Sequence, residues 1–156
     1  MTAVSALLRD LESRVTRGSN DDRAQTMSRL TDLLVATAPG ITEDQVGVFD
    51  VVIGRLATAI ESRARAELSE RLADVPNAPA GVVRQLALDE ISVARPVLAR
   101  SSRLTDEDLI AIASAKGRDH MLAISERPSL TEPVTDFLVL RGDRLGADKQ
   151  EQGEAS

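Results

Sequence analysis

The chain has 156 residues, a length that suits one compact domain, and a formal net charge of −6 with acids and bases interspersed along it. It contains no cysteine, which excludes disulfides, thiolate metal ligands and cysteine nucleophiles. Hydrophobic residues make up 42%, yet only two are Phe and none is Trp or Tyr, so we expect an aliphatic, helical core.

The same composition limits the possible partners. The charge balance argues against a general binder of phosphate backbones, and the shortage of aromatic residues argues against a binder of single strands. The N-terminus, "MTAVSALLRDLESR", lacks the basic start and apolar run of a secretory signal. No stretch approaches the roughly 18 apolar residues of a membrane span. We therefore expect a cytoplasmic protein that contacts neither membranes nor nucleic acid.

Apolar residues recur at spacings of three and four along nearly the whole chain, which predicts an all-α fold. Residues 1–40 predict an N-terminal helical hairpin, with helices over residues 2–16 and 22–38. Pro39 and Gly40 are expected to end the second helix.

Residues 42–73 predict one unusually long helix. Its apolar residues first recur at alternating spacings of three and four residues and then at every fourth residue, so the stripe that they form drifts around the helix. The residues of this stripe are Val46, Phe49, Ile53, Leu56, Ile60, Ala64, Leu68 and Leu72. Because the first two helices can cover only the front half, the stripe over residues 53–72 predicts a homodimer contact. Gly47 and Gly54 are expected to let another helix approach closely.

Beyond this segment, the pattern predicts short helices stacked as hairpins, at residues 79–88, 90–100, 105–115, 118–126 and 131–141. A loose internal repeat aligns Leu86 with Leu122 and Pro96 with Pro133. Repeats of this length are typical of an α-solenoid. Both prolines fit if each lies in the first turn of its helix. The polar residues 144–156 are expected to be a disordered tail.

The acidic cluster "TDED" at residues 105–108 could indicate a metal site or a helix start. The motifs "ITEDQV", "LTDEDL" and "LTEPVT" share an aliphatic residue, a threonine and one or more acids ahead of an apolar helix. Thr42, Thr105 and Thr131 are therefore predicted N-caps, and the acids face the positive end of the helix dipole. No calcium-loop or zinc spacing is present, so no metal and no cofactor is predicted.

His120, the single histidine, follows Asp119 in "GRDHMLAIS". The simplest interpretation is a half-buried histidine that packs against the core or caps a turn. The alternative is a phosphoacceptor on a helical bundle, although the Lys-Gly pair usual after such a histidine is replaced by Met121 and Leu122. No serine has a base at catalytic spacing, and no catalytic residue is predicted.

Three segments carry a family resemblance: "RLATAIESRARAELSERLADVPNAPAGVVRQLA", "EISVARPVLARSSRLTDEDLIAIA" and "HMLAISERPSLTEPVTDFLVLRGD". From residue 48 to residue 143 the chain resembles a bacterial domain-of-unknown-function family, number two thousand three hundred thirty-six, seen mainly in alphaproteobacteria. The resemblance implies HEAT-like helical repeats over residues 41–143. It implies no activity and no catalytic residues.

The sequence thus favours a non-enzymatic adaptor or regulator that binds a protein partner, because stacked hairpins form extended binding surfaces. Candidate partner-binding residues are the arginines of the repeat half: Arg84, Arg95, Arg100, Arg103 and Arg118. The alternatives are a helical-repeat protein that binds nucleic acid and a phosphotransfer protein that uses His120.

Overall fold

The regular elements of the described chain are all helical. The computed structural model describes residues 20–142 together with Ala6 and Arg9. Its α-helices are α1 (Asn20–Thr37), α2 (Glu43–Ala57), α3 (Ser62–Leu72), α4 (Ala80–Ala87), α5 (Ile91–Arg100), α6 (Asp106–Ala115), α7 (Arg118–Ser125) and α8 (132–142). A short 3₁₀ turn, Ala38–Gly40, follows α1.

The prediction of an all-α chain is confirmed over these residues, and the bounds of α4 to α8 agree closely with the predicted short helices. Of the predicted first helix at residues 2–16 only Ala6 and Arg9 are described, both as helical; the rest of it and the predicted tail at residues 144–156 lie outside the described residues. No helix in the described part of the chain combines the length and apolar character needed to cross a bilayer.

The predicted long helix over residues 42–73 is wrong. The chain leaves the helical path after Ala57 and starts a new helix at Ser62. Thr58 helps to close the turn, because its hydroxyl donates to the carbonyl of Arg55 at 2.7 Å and its N–H donates to the same oxygen. The segment therefore forms the separate helices α2 and α3.

This turn lets the drifting stripe face one core. Ile53 of α2, Ile60 of the turn and Leu68 and Leu72 of α3 are all buried within the chain itself. A straight helix could not direct these side chains to one side, since the drift carries the later residues around the helix. The stripe over residues 53–72 is thus covered by the chain's own helices, which removes the observation that motivated a homodimer through this segment.

Helices α3, α5 and α7 form one row in which neighbours run parallel. Arg100 at the end of α5 donates to the carbonyl of Glu70 in the last turn of α3, at 3.2 Å. Arg127, just after α7, donates to the carbonyl of Leu98 near the end of α5, at 2.7 Å. The carboxyl ends of these three helices therefore lie side by side.

A second row contains α2 and α4. Asp50 of α2 accepts hydrogen bonds from the N–H groups of Gly81 and Val82 in the first turn of α4, at 3.2 and 2.7 Å. One turn further along both helices, Gln85 donates to the carbonyl of Gly54 at 3.1 Å. Because contacts advance along both helices together, α2 and α4 run parallel.

Helices α6 and α8 repeat this parallel arrangement. Thr131, just before α8, donates its hydroxyl proton to Asp106 at the start of α6, at 2.9 Å. Arg141 near the end of α8 donates to the carbonyl of Ser114 near the end of α6, at 3.4 Å. The amino-terminal ends of α6 and α8 therefore lie together, and so do their carboxyl-terminal ends.

The predicted repeat alignment is wrong in its register. Leu86 is buried in α4, whereas Leu122 is exposed on α7, so the two residues do not occupy equivalent positions. Pro96 lies inside α5 and not in its first turn, while Pro133 does lie in the first turn of α8. Pro96 has no N–H to donate to the carbonyl of Ser92, and the helix continues to Arg100 without that hydrogen bond.

The two interior glycines of α2 differ in their surroundings. A Cβ added at Gly54 would lie 3.3 Å from Oε1 of Gln85, which confirms the predicted close approach. A Cβ at Gly47 would meet nothing within 4 Å, so the same prediction is wrong there. The tightest contact is at Gly81, where an added Cβ would lie 2.6 Å from Oδ2 of Asp50.

Candidate functional site

The acidic cluster at the start of α6 forms a capping box. The hydroxyl of Thr105 accepts the N–H of Asp108 at 3.1 Å, and the Asp108 carboxylate accepts the N–H of Thr105 at 3.0 Å. The same reciprocal pair joins Thr42 and Gln45 at the start of α2. The predicted caps at these two threonines are confirmed. Each satisfies two N–H groups that the helix itself leaves without partners.

Asp106 and Thr131 have a different arrangement. Thr131 precedes α8 as predicted and its carbonyl accepts the N–H of Thr135, but its hydroxyl donates to Asp106. The carboxylate of Asp106 therefore connects the starts of α6 and α8. Within the described residues, no group of three or more His, Asp or Glu side chains is placed to hold a metal ion.

His120 belongs to a hydrogen-bond network between helices. It is 7% exposed on α7, and its Nε2 lies 2.8 Å from the carbonyl of Asp89, so this nitrogen is the donor. The carboxylate of Asp89 accepts two hydrogen bonds from Arg65 of α3, at 2.7 and 3.3 Å. Arg65 also donates to the carbonyl of Ile60 at 2.8 Å. These hydrogen bonds connect α7 to the turn after α4. They also connect α3 to that turn and to the turn before α3.

This geometry matches the interpretation of His120 as a packed, turn-capping histidine. A phosphoacceptor nitrogen must reach a partner's phosphoryl group, but Nε2 is occupied by a main-chain carbonyl and the residue is buried. The network positions backbone segments, and no titratable side chain among residues 20–142 forms a hydrogen bond or ion pair with the imidazole. His120 therefore packs α7 against the turn after α4 and caps that turn.

Several arginines act as caps for carbonyl groups at helix ends. Arg127 donates to the carbonyls of Leu98, Ser101 and Val97 at 2.7, 2.8 and 3.3 Å, which covers the carboxyl end of α5. Burial lowers the pKa of Arg127, and the nearby carboxylate of Asp106 partly offsets this. The guanidinium stays charged because an arginine pKa is far above neutrality.

The five arginines proposed to bind a partner have different surroundings. Arg100 pairs with Glu70 at 2.7 Å and Asp74 at 3.2 Å, and the hydrogen bond to Glu70 is the main cause of its raised pKa. Arg103 is half-buried and donates to the carbonyl of Ala78 at 2.8 Å. Both side chains therefore serve the fold.

The other three arginines are exposed. Arg95 lies 4.0 Å from Glu126, a loose contact between α5 and the end of α7. Arg118 begins α7, and Arg84 lies on α4. Of the five, only Arg84 lines the groove described next.

An open groove lies between α4 and α6. It has a volume of about 270 Å³ and an almost entirely apolar lining. The lining residues are Arg84, Leu88, Asp108, Ala111, Ile112 and Ala115. Ile112 is buried and forms the floor, whereas Leu88 is 44% exposed at the end of α4. An exposed leucine beside an apolar groove is typical of an interaction surface.

The two charged residues of the groove differ in how they are used. The carboxylate of Asp108 is held in the capping box at the positive end of the α6 dipole. Arg84, by contrast, has no ion pair or hydrogen bond from its guanidinium to any residue in 20–142. The groove therefore offers one uncommitted positive charge beside an apolar surface.

Sequence reasoning identified Arg84 but not the groove. A helical wheel assigns Leu88, Ala111 and Ala115 to the surface. Apolar residues at such positions are a sequence signal for an interaction surface. The groove itself depends on how far α6 stands from α4. No local pattern encodes that separation.

The comparisons with known proteins agree with the family resemblance. Residues 93–147 match a family described as "Uncharacterised protein conserved in bacteria (DUF2336)". The match spans most of α5 and all of α6 to α8, about a third of the chain. It does not extend to the segment "RLATAIESRARAELSERLADVPNAPAGVVRQLA". No curated protein and no solved structure shows significant similarity to the chain.

Proposed function

We propose that the chain is a cytoplasmic, non-enzymatic adaptor of HEAT-like helical repeats that binds a helical segment of a protein partner in the groove between α4 and α6. The observation that carries the proposal is the groove itself: apolar, open, and lined by the exposed Leu88. Its volume of about 270 Å³ is below the usual ~300–1,000 Å³ of pockets that enclose small ligands. An open apolar groove of this kind is better suited to side chains of an amphipathic helix.

The two rows of helices support the repeat interpretation. Within each row, the observed contacts join parallel helices, as expected when successive hairpins stack in one direction. Row neighbours α2 and α4 are linked directly through Asp50 and Gln85. Helices α4 and α6 leave the groove between them, and the partner helix would dock there.

Site-specific photocrosslinking tests the proposal. A photoreactive amino acid would be placed at Leu88 or Ala115 inside the groove, and at Leu122 as a control. Leu122 is a matched control because it is a 50% exposed leucine on α7, outside the lining. We expect a partner to crosslink in bacterial cells from the groove positions and not from residue 122.

The crosslinked partner would then be purified and titrated against the chain. Leu88→Asp should weaken its binding by about tenfold or more, because the variant places a charge in an apolar contact, while Leu122→Asp should leave binding unchanged. Equal crosslinking from both surfaces, or a partner insensitive to Leu88→Asp, would reject the groove as the binding site.

A further inference from the structure

The outer face of α8 is a second exposed apolar surface. Val139 is 57% exposed and Leu140 is 63% exposed, the largest exposures among the bulky aliphatic residues of the described chain. One turn before Leu140, the exposed Asp136 has no ion pair with any residue in 20–142. This face therefore presents an acid and an aliphatic pair to solvent.

The face of α8 complements the groove in charge and in spacing. Arg84 and Leu88 are four residues apart on α4, and Asp136 and Leu140 are four residues apart on α8. Four residues correspond to about 6 Å along either helix. If α8 lay parallel to α4, the carboxylate of Asp136 would meet Arg84 while Leu140 met Leu88.

We propose that the groove between α4 and α6 accepts helix α8 from a second copy of this chain. The apolar pair of α8 would cover Leu88 and the small side chains of Ala111 and Ala115, and Asp136 would pair with Arg84. Each copy carries both surfaces, so a closed pair makes this contact twice. The proposal rests on the groove of the proposed function and names one occupant for it.

Two alanines on successive turns of α6 favour helix α8 of a second copy as the occupant of the groove. Ala111 and Ala115 are exposed and lie four residues apart, so they leave room for a helix to approach α6 closely. α8 already packs parallel to α6 within its own chain through Asp106 and Ser114. In the proposed dimer, helix α8 of the second copy would pack against the opposite side of α6, also in parallel orientation.

Sedimentation velocity of the full chain, from micromolar to near-millimolar concentration, tests the inference. We expect a monomer–dimer equilibrium in the wild type. Arg84→Glu and Asp136→Arg should each raise the dissociation constant by about tenfold or more, because each places like charges opposite one another in both contacts. The double variant R84E/D136R exchanges the charges and should restore association to within about threefold of the wild type.

Arg118→Glu is the matched control. It makes the same change in net charge at an exposed arginine outside the groove, and should leave the dissociation constant unchanged. A chain that stays monomeric at every concentration overturns the inference, as does a dimer that R84E leaves intact or that the double charge exchange does not restore. A monomer that still crosslinks to a different partner from residue 88 would overturn self-association and leave the proposed function standing.

Discussion

Gly81→Ala should weaken the contact between α2 and α4, whereas Gly47→Ala should stabilise the protein. The Cβ added at Gly81 would lie 2.6 and 2.7 Å from the two carboxylate oxygens of Asp50, so the carboxylate has to move away. Its hydrogen bonds to the N–H groups of Gly81 and Val82 would then be lost. Loss of such a charged cap costs about 2 kcal/mol, and the helix gains up to about 1 kcal/mol from alanine, which leaves a net destabilisation of about 1 kcal/mol.

Gly47 of α2, the helix that packs against α4, supplies the matched control. It lies exposed in the second turn of α2, and an added Cβ meets nothing within 4 Å. Only the backbone effect remains, so Gly47→Ala should raise the free energy of unfolding by about 0.5 to 1 kcal/mol. The two substitutions are chemically identical and are expected to have opposite signs.

Urea denaturation followed by far-ultraviolet circular dichroism measures both effects, and a double-mutant cycle identifies the cause. In an Asp50→Ala background the cap is already absent, so Gly81→Ala should become neutral or stabilising. The coupling energy should be about 1 to 2 kcal/mol. If Gly81→Ala costs as much in that background as in the wild type, displacement of the carboxylate is not the mechanism.

Substitutions at Thr105, Arg127 and His120 test three other contacts by the same unfolding assay. Thr105→Ala should cost about 1 kcal/mol, because it removes the hydroxyl half of the capping box; no loss would mean that the box contributes nothing. Arg127→Lys should cost about 1 to 2 kcal/mol, since one ammonium group cannot reach three carbonyls, while Arg95→Lys should be nearly neutral. His120→Leu should cost about 1 to 3 kcal/mol by leaving the carbonyl of Asp89 without its partner, and His120→Gln should cost less because an amide N–H can replace the imidazole donor.

The helices were predictable from the sequence because their signals are local. Apolar spacing places five short helices close to their observed bounds, and the Thr-acid motifs mark the starts of α2 and α6. Capping side chains act within three residues of their targets, so the required information lies within one turn. The acidic cluster at residues 106–108 thus marks the start of α6, where Asp108 completes the capping box.

The break between α2 and α3 was not predictable in the same way. No glycine or proline occurs at residues 58–61, and the residues there allow a helix. The chain turns because one core has to receive side chains from both halves of the stripe, including Ile53 and Leu72. Tertiary packing overrides local preference in this case.

Long-range ion pairs were also missed. Arg65 and Arg71 each have a glutamate four residues earlier, which is a good local partner on an isolated helix. The structure directs Arg65 to Asp89 and Arg71 to Asp32, on other parts of the fold. Such partners are chosen by the arrangement of helices, which sequence spacing does not contain.

The parallel rows give a physical reason for the many arginines. Parallel neighbours place their carboxyl ends together, and each end carries unpaired carbonyls and partial negative charge. Arg100, Arg127 and Arg141 each extend from the end of one helix to the carboxyl end of the preceding helix in the same row, that is, to α3, α5 and α6. Lysine could supply the charge but not the several fixed donors that these carbonyls require. Arg84 has no such task within the described chain, so its charge beside the apolar groove is open to the contact with Asp136 proposed above.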